Sequence, residues 1–202
     1  MARVKSDPGL WPDLESNASH RLLMAALDCF ASRGYHAATT REIAELAGMS
    51  PAAVYVHYKS KADLLYAITS TAHDKLLSEL RSALDDVEDP RERLSAFVET
   101  FASWHVRHHT VARVAQYELR ALPAPGFRKI GKVRDQFERM LEDELRGGVE
   151  AGLFDVPDLS GTALAVMSIC IDVARWYQPM RPETPKSMSE LYSSLVLRMV
   201  SA

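Results

Sequence analysis

Two helix-start signals follow each other closely between Thr39 and Tyr58, with a glycine in the gap, and this leaves room only for two short helices meeting at a tight turn. Thr39 and Glu42 form a T-x-x-E capping box, which satisfies two of the open backbone donors at a helix start. Ile43, Leu46 and Ala47 then give the first helix one apolar face. Gly48 ends it at a position suited to positive φ. Ser50-Pro51 starts the next, with a serine N-cap and proline at the first helical position, and this helix runs to about His57. Ile43, Ala44, Ala47, Met49 and Val54 can bury the angle between the two, and the small Ala44 and Ala47 allow close approach.

The rest of the chain is punctuated in the same way. Leu22, Leu23, Ala26, Leu27 and Phe30 fall at helical spacing from Ser19, and Gly34 is a natural C-cap. Ser60 with Asp63 starts a long helix from Lys61 to about Leu84. Further helices are expected from Pro90 to about His108, from Thr110 to Leu122 before Pro123, and from about Pro125 to Ala151 before Gly152. The last two run from Asp158 to Tyr177 and from about Thr184 to Val200. No convincing strand, repeat or phosphate-binding glycine loop stands out. The expected class is all-α, with about nine helices.

The chain has 202 residues, 47% hydrophobic and 25% charged, enough for one or two domains with a real core. Its two cysteines, Cys29 and Cys170, form no CxxC pattern, which argues against a zinc-finger or disulfide scaffold and suits a reducing cytoplasm. The start, MARVKSDPGLWPDLESN, lacks the apolar run of a signal peptide and reads as an arm over residues 1–15. The most apolar stretch, Ala163 to Val173, is about half a membrane span and is broken by Ser168 and Asp172, so no membrane role is expected.

The net charge of −3 does not advertise a nucleic-acid binder. Residues 1–62 carry seven Lys or Arg against six Asp or Glu, barely positive. What counts is where the cations stand. The face of the second short helix left free by the packed angle is sized for a major groove about 12 Å wide. Ser50 could offer its hydroxyl to a phosphate. Pro51, Ala52 and Ala53 are small enough to bring the backbone near base edges or a thymine methyl. Tyr55 and His57 have reach and polar tips. Lys61 could meet a phosphate from the following helix, while Thr40 and Arg41 could meet the backbone and a guanine edge. Tyr58 reads as core and Lys59 as a solvated charge. On capping and periodicity alone, a plain helical hairpin in a bundle explains the segment equally well.

The residues Ala25-Ala26-x-x-x-Phe30, Arg33-Gly34-Tyr35, Thr40-x-x-Ile43-Ala44-x-x-Ala47-Gly48-x-Ser50 and Tyr55-x-x-Tyr58-x-x-Lys61-x-x-Leu64 closely resemble the TetR family of transcriptional regulators. The resemblance implies a helix-turn-helix DNA-binding domain over residues 16–70, with its motif at 39–58. A helical ligand-binding and dimerisation domain then occupies 71–202, with the last two helices forming the homodimer. It places DNA contact on Thr40, Arg41, Ser50, Pro51, Ala52, Ala53, Tyr55, His57 and Lys61. It further implies a cytoplasmic repressor of a palindromic operator, released by a small effector. Tyr117-Glu118-Leu119-Arg120-Ala121-Leu122 and Ala174-Arg175-Trp176-Tyr177-Gln178-Pro179 loosely resemble members that respond to acyl-CoA or other lipid and steroid catabolites.

For such an effector, the candidate pocket residues are Trp104, His108, Tyr117, Met167 and Trp176, all equally usable as plain core. His105 and His109, one helical turn apart, could share a metal ion, but nearby carboxylates or thiols that would complete a site are missing, and a histidine cluster without metal is expected. Paired carboxylates, a nucleophile elbow and a cofactor loop are also missing, so neither enzyme chemistry nor a cofactor is expected. Glu138, Glu142, Asp143 and Glu144 with Arg134, Arg139 and Arg146 read as a solvated helix face. Leu159 to Val173 is apolar on almost every side, which calls for burial beyond one chain's own core. Leu191, Leu195, Val196, Met199 and Val200 add to that demand. A helical scaffold without DNA, and a small helical enzyme, are the competing classes.

Overall fold

The computed structural model describes residues 10–11, 18–180 and 182–201. The expected arm over 1–15 lies outside them apart from Leu10 and Trp11, which are both buried. Among the described residues there are nine α-helices, and the only β-type pairing is a single bridge between Phe154 and Ser201. The helices are α1 Ala18–Arg33, α2 Thr40–Leu46, α3 Pro51–His57, α4 Lys61–Leu84, α5 Pro90–Arg107, α6 His109–Tyr117, α7 Ala124–Glu150, α8 Leu159–Trp176 and α9 Pro185–Val200.

Local chemistry sets most of these ends. Gly34, Gly48 and Gly152 all have positive φ, at 78°, 68° and 71°, and each follows a helix that stops there. Asp89 caps α5, Asp158 caps α8 and Thr184 caps α9 by accepting backbone N–H groups of the first turn. One end differs from the sequence expectation. The sixth helix stops at Tyr117 instead of reaching Leu122, and Leu119–Ala121 forms a 3-10 turn. Pro123 forces Leu122 out of the helical region, to φ −70° and ψ 140°. The chain tightens ahead of it, with Ala121 N–H donating to Glu118 and Leu122 N–H to Leu119.

The chain forms two compact units. The first takes the described residues up to Lys75 together with Thr110–Gly131; the second takes Leu76–His109 and the chain from Lys132 onward. Helix α4 contributes residues to both. The first unit buries Leu22, Leu27 and Phe30 of α1, Ile43 and Ala44 of α2, Val54 of α3 and Leu64, Leu65 and Ile68 of α4. The returning segment belongs with them: a β-carbon on Gly126 would meet the Tyr66 ring at 3.2 Å, and Lys129 lies over that ring.

In the second unit α5 packs along α9 and α8. Phe97 and Phe101 stack at 5.8 Å, Phe137 of α7 meets Phe101 edge-on, and Ser95 shares a 2.6 Å hydrogen bond with Ser193 of α9. The α7 charges are not all a solvated face. Glu144 is buried and accepts two bonds from Arg93, at 2.7 and 2.9 Å, while the same guanidinium donates to the Leu84 and Val87 carbonyls. Arg134 is only partly exposed, and burial lowers its pKa. The sequence shows charge at helical spacing but not the α5 arginine that draws Glu144 inward.

Helix α8 is long and apolar enough, by length and composition alone, to cross a membrane, with a mean hydropathy of 1.3 and 33% of it buried within the chain. Leu164 and Ile169 stay exposed on it. Leu191, Leu195 and Met199 stay exposed on α9, spaced four residues apart.

Candidate nucleic-acid interface

The reader is built from its caps upward. Thr39 accepts the Glu42 N–H at 3.2 Å, and the Glu42 carboxylate accepts the Thr39 N–H at 3.0 Å. These bonds to Thr39, with a smaller contribution from Arg33, hold the Glu42 carboxyl below its ordinary pKa. The box fixes where α2 starts. Gly48 then turns the chain with φ 68°, and the Met49 N–H returns to the Ala44 carbonyl at 2.9 Å. Ser50 accepts the Ala53 N–H at 3.3 Å and Pro51 opens α3.

Helix α3 has a sharply divided surface. Val54 is fully buried and pins the helix to α2, against which it packs. Pro51, Ala52, Tyr55, Val56 and His57 are exposed, and Ala53 is intermediate. Thr40 and Tyr55 come together across the motif, their hydroxyl oxygens 3.3 Å apart. Arg41 is 80% exposed along its side chain and touches Glu45 one turn on. Ser50 is exposed beside the turn. The motif thus presents three hydroxyls, a guanidinium, an imidazole and a small apolar ridge on short helices held by their own caps.

Val56, 80% exposed, is a surface residue that the sequence reading passes over. Its spacing from Ala52, one turn earlier, is the signal that could have found it. A branched apolar side chain so exposed on a reading helix suits a thymine methyl.

Lys61, a candidate phosphate contact, has its ammonium engaged within the fold. Its ammonium donates to the carbonyls of Tyr35 and Ala38, each at 2.6 Å, and to that of His36 at 3.4 Å. It also lies 4.3 Å from the centre of the Tyr35 ring. The cation is engaged in holding the α1–α2 loop. Tyr58, half-buried, hydrogen-bonds Ser19 at 2.6 Å, and burial raises its pKa, in keeping with a packing role.

The effector candidates are dispersed. Trp104, His108 and Met167 are buried in the second unit and Trp176 is partly buried there, against a cluster formed by Val106, Val173 and Met188. Tyr117 stands 59% exposed in the first unit. His105 and His109 each turn Nδ1 to a backbone carbonyl, of Phe101 and Val106 respectively. Among the described residues there is no group of three metal-ligating side chains.

Comparison with known proteins places this geometry. Residues 22–68 match the family described as bacterial regulatory proteins, tetR family, and residues 87–200 match the tetracyclin repressor-like C-terminal domain. The HTH-type transcriptional repressor KstR2 of Mycobacterium tuberculosis is 31% identical over 180 residues, covering 87% of this chain and 89% of that protein. A solved structure of that ketosteroid transcriptional regulator superposes with a TM-score of 0.86 at 28% identity, over 93% of this chain and 96% of that one. A tetR-family regulatory protein from Rhodococcus RHA1 superposes with a TM-score of 0.87 at 38% identity, over 93% of this chain and 98% of its own. The chain belongs to the TetR family, and it is a helix-turn-helix transcriptional regulator that binds operator DNA.

Proposed function

We propose that two copies of this chain bind a palindromic operator as a repressor and leave it when a large apolar metabolite, an acyl-CoA or a steroid catabolite, enters the second unit. The observation that carries the DNA half is the division of α3: Val54 fully buried, Tyr55 57% and Val56 80% exposed beside it. A helix with one face anchored and the other bare is what insertion into a major groove requires. In this reading Thr40, Ser50 and Tyr55 hold phosphates, Arg41 reaches a guanine edge, and Pro51, Ala52 and Ala53 let the backbone close on the bases. His57 adds a backbone contact. Few polar groups on α3 face the bases, so sequence is read mainly by fit and apolar contact.

The effector half is supported by the relationship to KstR2 and by the aromatic interior around Trp104, His108, Met167 and Trp176. The protein works in the cytoplasm beside the chromosome and catalyses nothing; its output is a change in operator occupancy. Recognition helices of a dimer must sit about 34 Å apart to enter successive major grooves. Helix α4 has residues in both units, so it is the element through which effector binding alters that spacing. Moving the population from 1:99 to 99:1 requires about 5.5 kcal/mol of differential effector affinity.

The test is selection of genomic fragments by the purified protein, followed by challenge of the complex with octanoyl-CoA, with a steroid ketone and with free CoA. A recovered palindrome released by octanoyl-CoA and not by CoA is the expected result. Retention of fragments no better than random DNA at low salt would refute the operator reading. An operator that is bound but released by neither acyl-CoA nor a steroid ketone would refute the effector class alone.

A further inference from the structure

We propose that the Trp104 indole N–H is the donor that seats a neutral carbonyl oxygen of the effector, the thioester or ketone oxygen of an otherwise apolar group. This deepens the effector reading above and rests on it.

Trp104 is 3% exposed, and its Nε1 is buried with no hydrogen-bond partner. A buried donor left unpaired carries the full desolvation cost of the group. Phenylalanine would fill most of the same volume without that cost. An indole kept there points to an acceptor that comes from outside the chain.

The surroundings define the acceptor. The His108 ring lies 4.8 Å from the Trp104 ring and the His105 ring 5.3 Å, almost perpendicular to it. His105 also meets Phe101 at 4.6 Å, which continues the aromatic wall to Phe97 and Phe137. Burial pushes both histidines down to about 4, so the rings are uncharged at neutral pH. Neutral rings supply no countercharge for a buried carboxylate. Arg134 is the cation near His105, and it already makes interactions of its own. Its field repels a positive ligand and favours a negative end, whether of a carbonyl dipole or of a carboxylate, and the octanoate comparison below separates the two. The unpartnered Trp104 N–H beside uncharged aromatic rings therefore suits one polarised oxygen in an otherwise apolar body.

The experiment compares octanoyl-CoA with octyl-CoA, the thioether that lacks only the carbonyl oxygen, and includes octanoate and a steroid ketone, androst-4-ene-3,17-dione. The readouts are calorimetric affinity and the indole N–H resonances of the nitrogen-15-labelled full chain. The Trp104 signal is the one lost in Trp104→Phe. In the wild type, octanoyl-CoA or the ketone should move that resonance downfield, and the thioether and octanoate should not. The active carbonyl compound identifies the source of the oxygen. Trp104→Phe should weaken its binding about tenfold. Equal affinity for octanoyl-CoA and octyl-CoA with a stationary Trp104 resonance would overturn the assignment and leave the effector class standing. Failure of both carbonyl compounds to bind would overturn both. Because the resonance is read in the wild type, the result does not depend on how well the variant folds.

Discussion

Lys61 shows what a single residue's sequence position conceals. Its place at the start of α4, just beyond the reading helix, fits a phosphate contact, and nothing local in the sequence argues otherwise. The carbonyls that engage it belong to Tyr35, His36 and Ala38, more than twenty residues earlier, and only the folded chain brings them to its ammonium. Val56 is hidden for a simpler reason: a valine carries no polar reach, so only the folded surface reveals its exposure on α3. Thr40 and Tyr55 were both legible as candidates, but their 3.3 Å approach was not. For Lys61 the two roles separate cleanly. Lys61→Met keeps the apolar stem and removes the donor. If the loop clamp is its role, the denaturant midpoint falls, with a loss of about 1–2 kcal/mol for bonds from a partly exposed charged donor. Operator affinity then falls with the salt slope unchanged. A slope lower by about one unit at unchanged stability would show a lost phosphate contact instead.

At the scale of elements, the helix starts were legible because their chemistry is local. The Thr39–Glu42 box and the Ser50 cap are each written within four residues and formed as written. The C-terminal end of α6 was not, because the restriction imposed by Pro123 is met by tightening the preceding turn. Nor was the inward turn of Glu144, since its partner lies on another helix. Helix α5 carries an electrostatic consequence of its burial. His105 and His108 titrate near 6.5 in an open chain but near 4 in the fold, chiefly from desolvation. Arg134 across from His105, and His109 beside His108, push the same way. The unfolded chain therefore takes up protons that the fold refuses. This part of the stability is complete above about pH 6.5 and is lost as pH falls toward 4. Each histidine contributes a slope of up to about 1.4 kcal/mol per pH unit. The Glu42 and Asp172 carboxyls are held below their ordinary carboxylate values, Glu42 chiefly by its bonds to Thr39 and Asp172 chiefly by Arg175, so they add little between pH 6.5 and 5. Urea unfolding over that window should show stability falling with pH, and His105→Phe should remove about half of the slope. A flat profile in the parent protein would mean that both rings are charged, or solvated, in the fold.

At the scale of the whole molecule, one chain cannot bury all the apolar surface it makes. Helix α8 is apolar on nearly every side, yet Leu164 remains 58% and Ile169 40% exposed. On α9 the inner face is filled by Met188, Val196 and Val200, while Leu191, Leu195 and Met199 stand 49%, 44% and 50% exposed. Their four-residue spacing puts the last three on one stripe. Burying a large apolar side chain is worth about 1.5–3 kcal/mol, so two copies meeting through this stripe and its counterpart on α8 have ample drive to associate. Operator binding depends on that meeting: a dimer places its second reader at its half-site by an intramolecular step, and a lone chain cannot. Leu195→Glu puts a charge into the stripe without touching the buried face of α9. The variant should keep its helical circular dichroism, sediment as a monomer at micromolar concentration, and lose operator affinity by at least a hundredfold. A variant that still sediments as a dimer would move the interface away from α9. A folded monomer that binds the full operator as tightly as the parent would break the link between pairing and DNA reading.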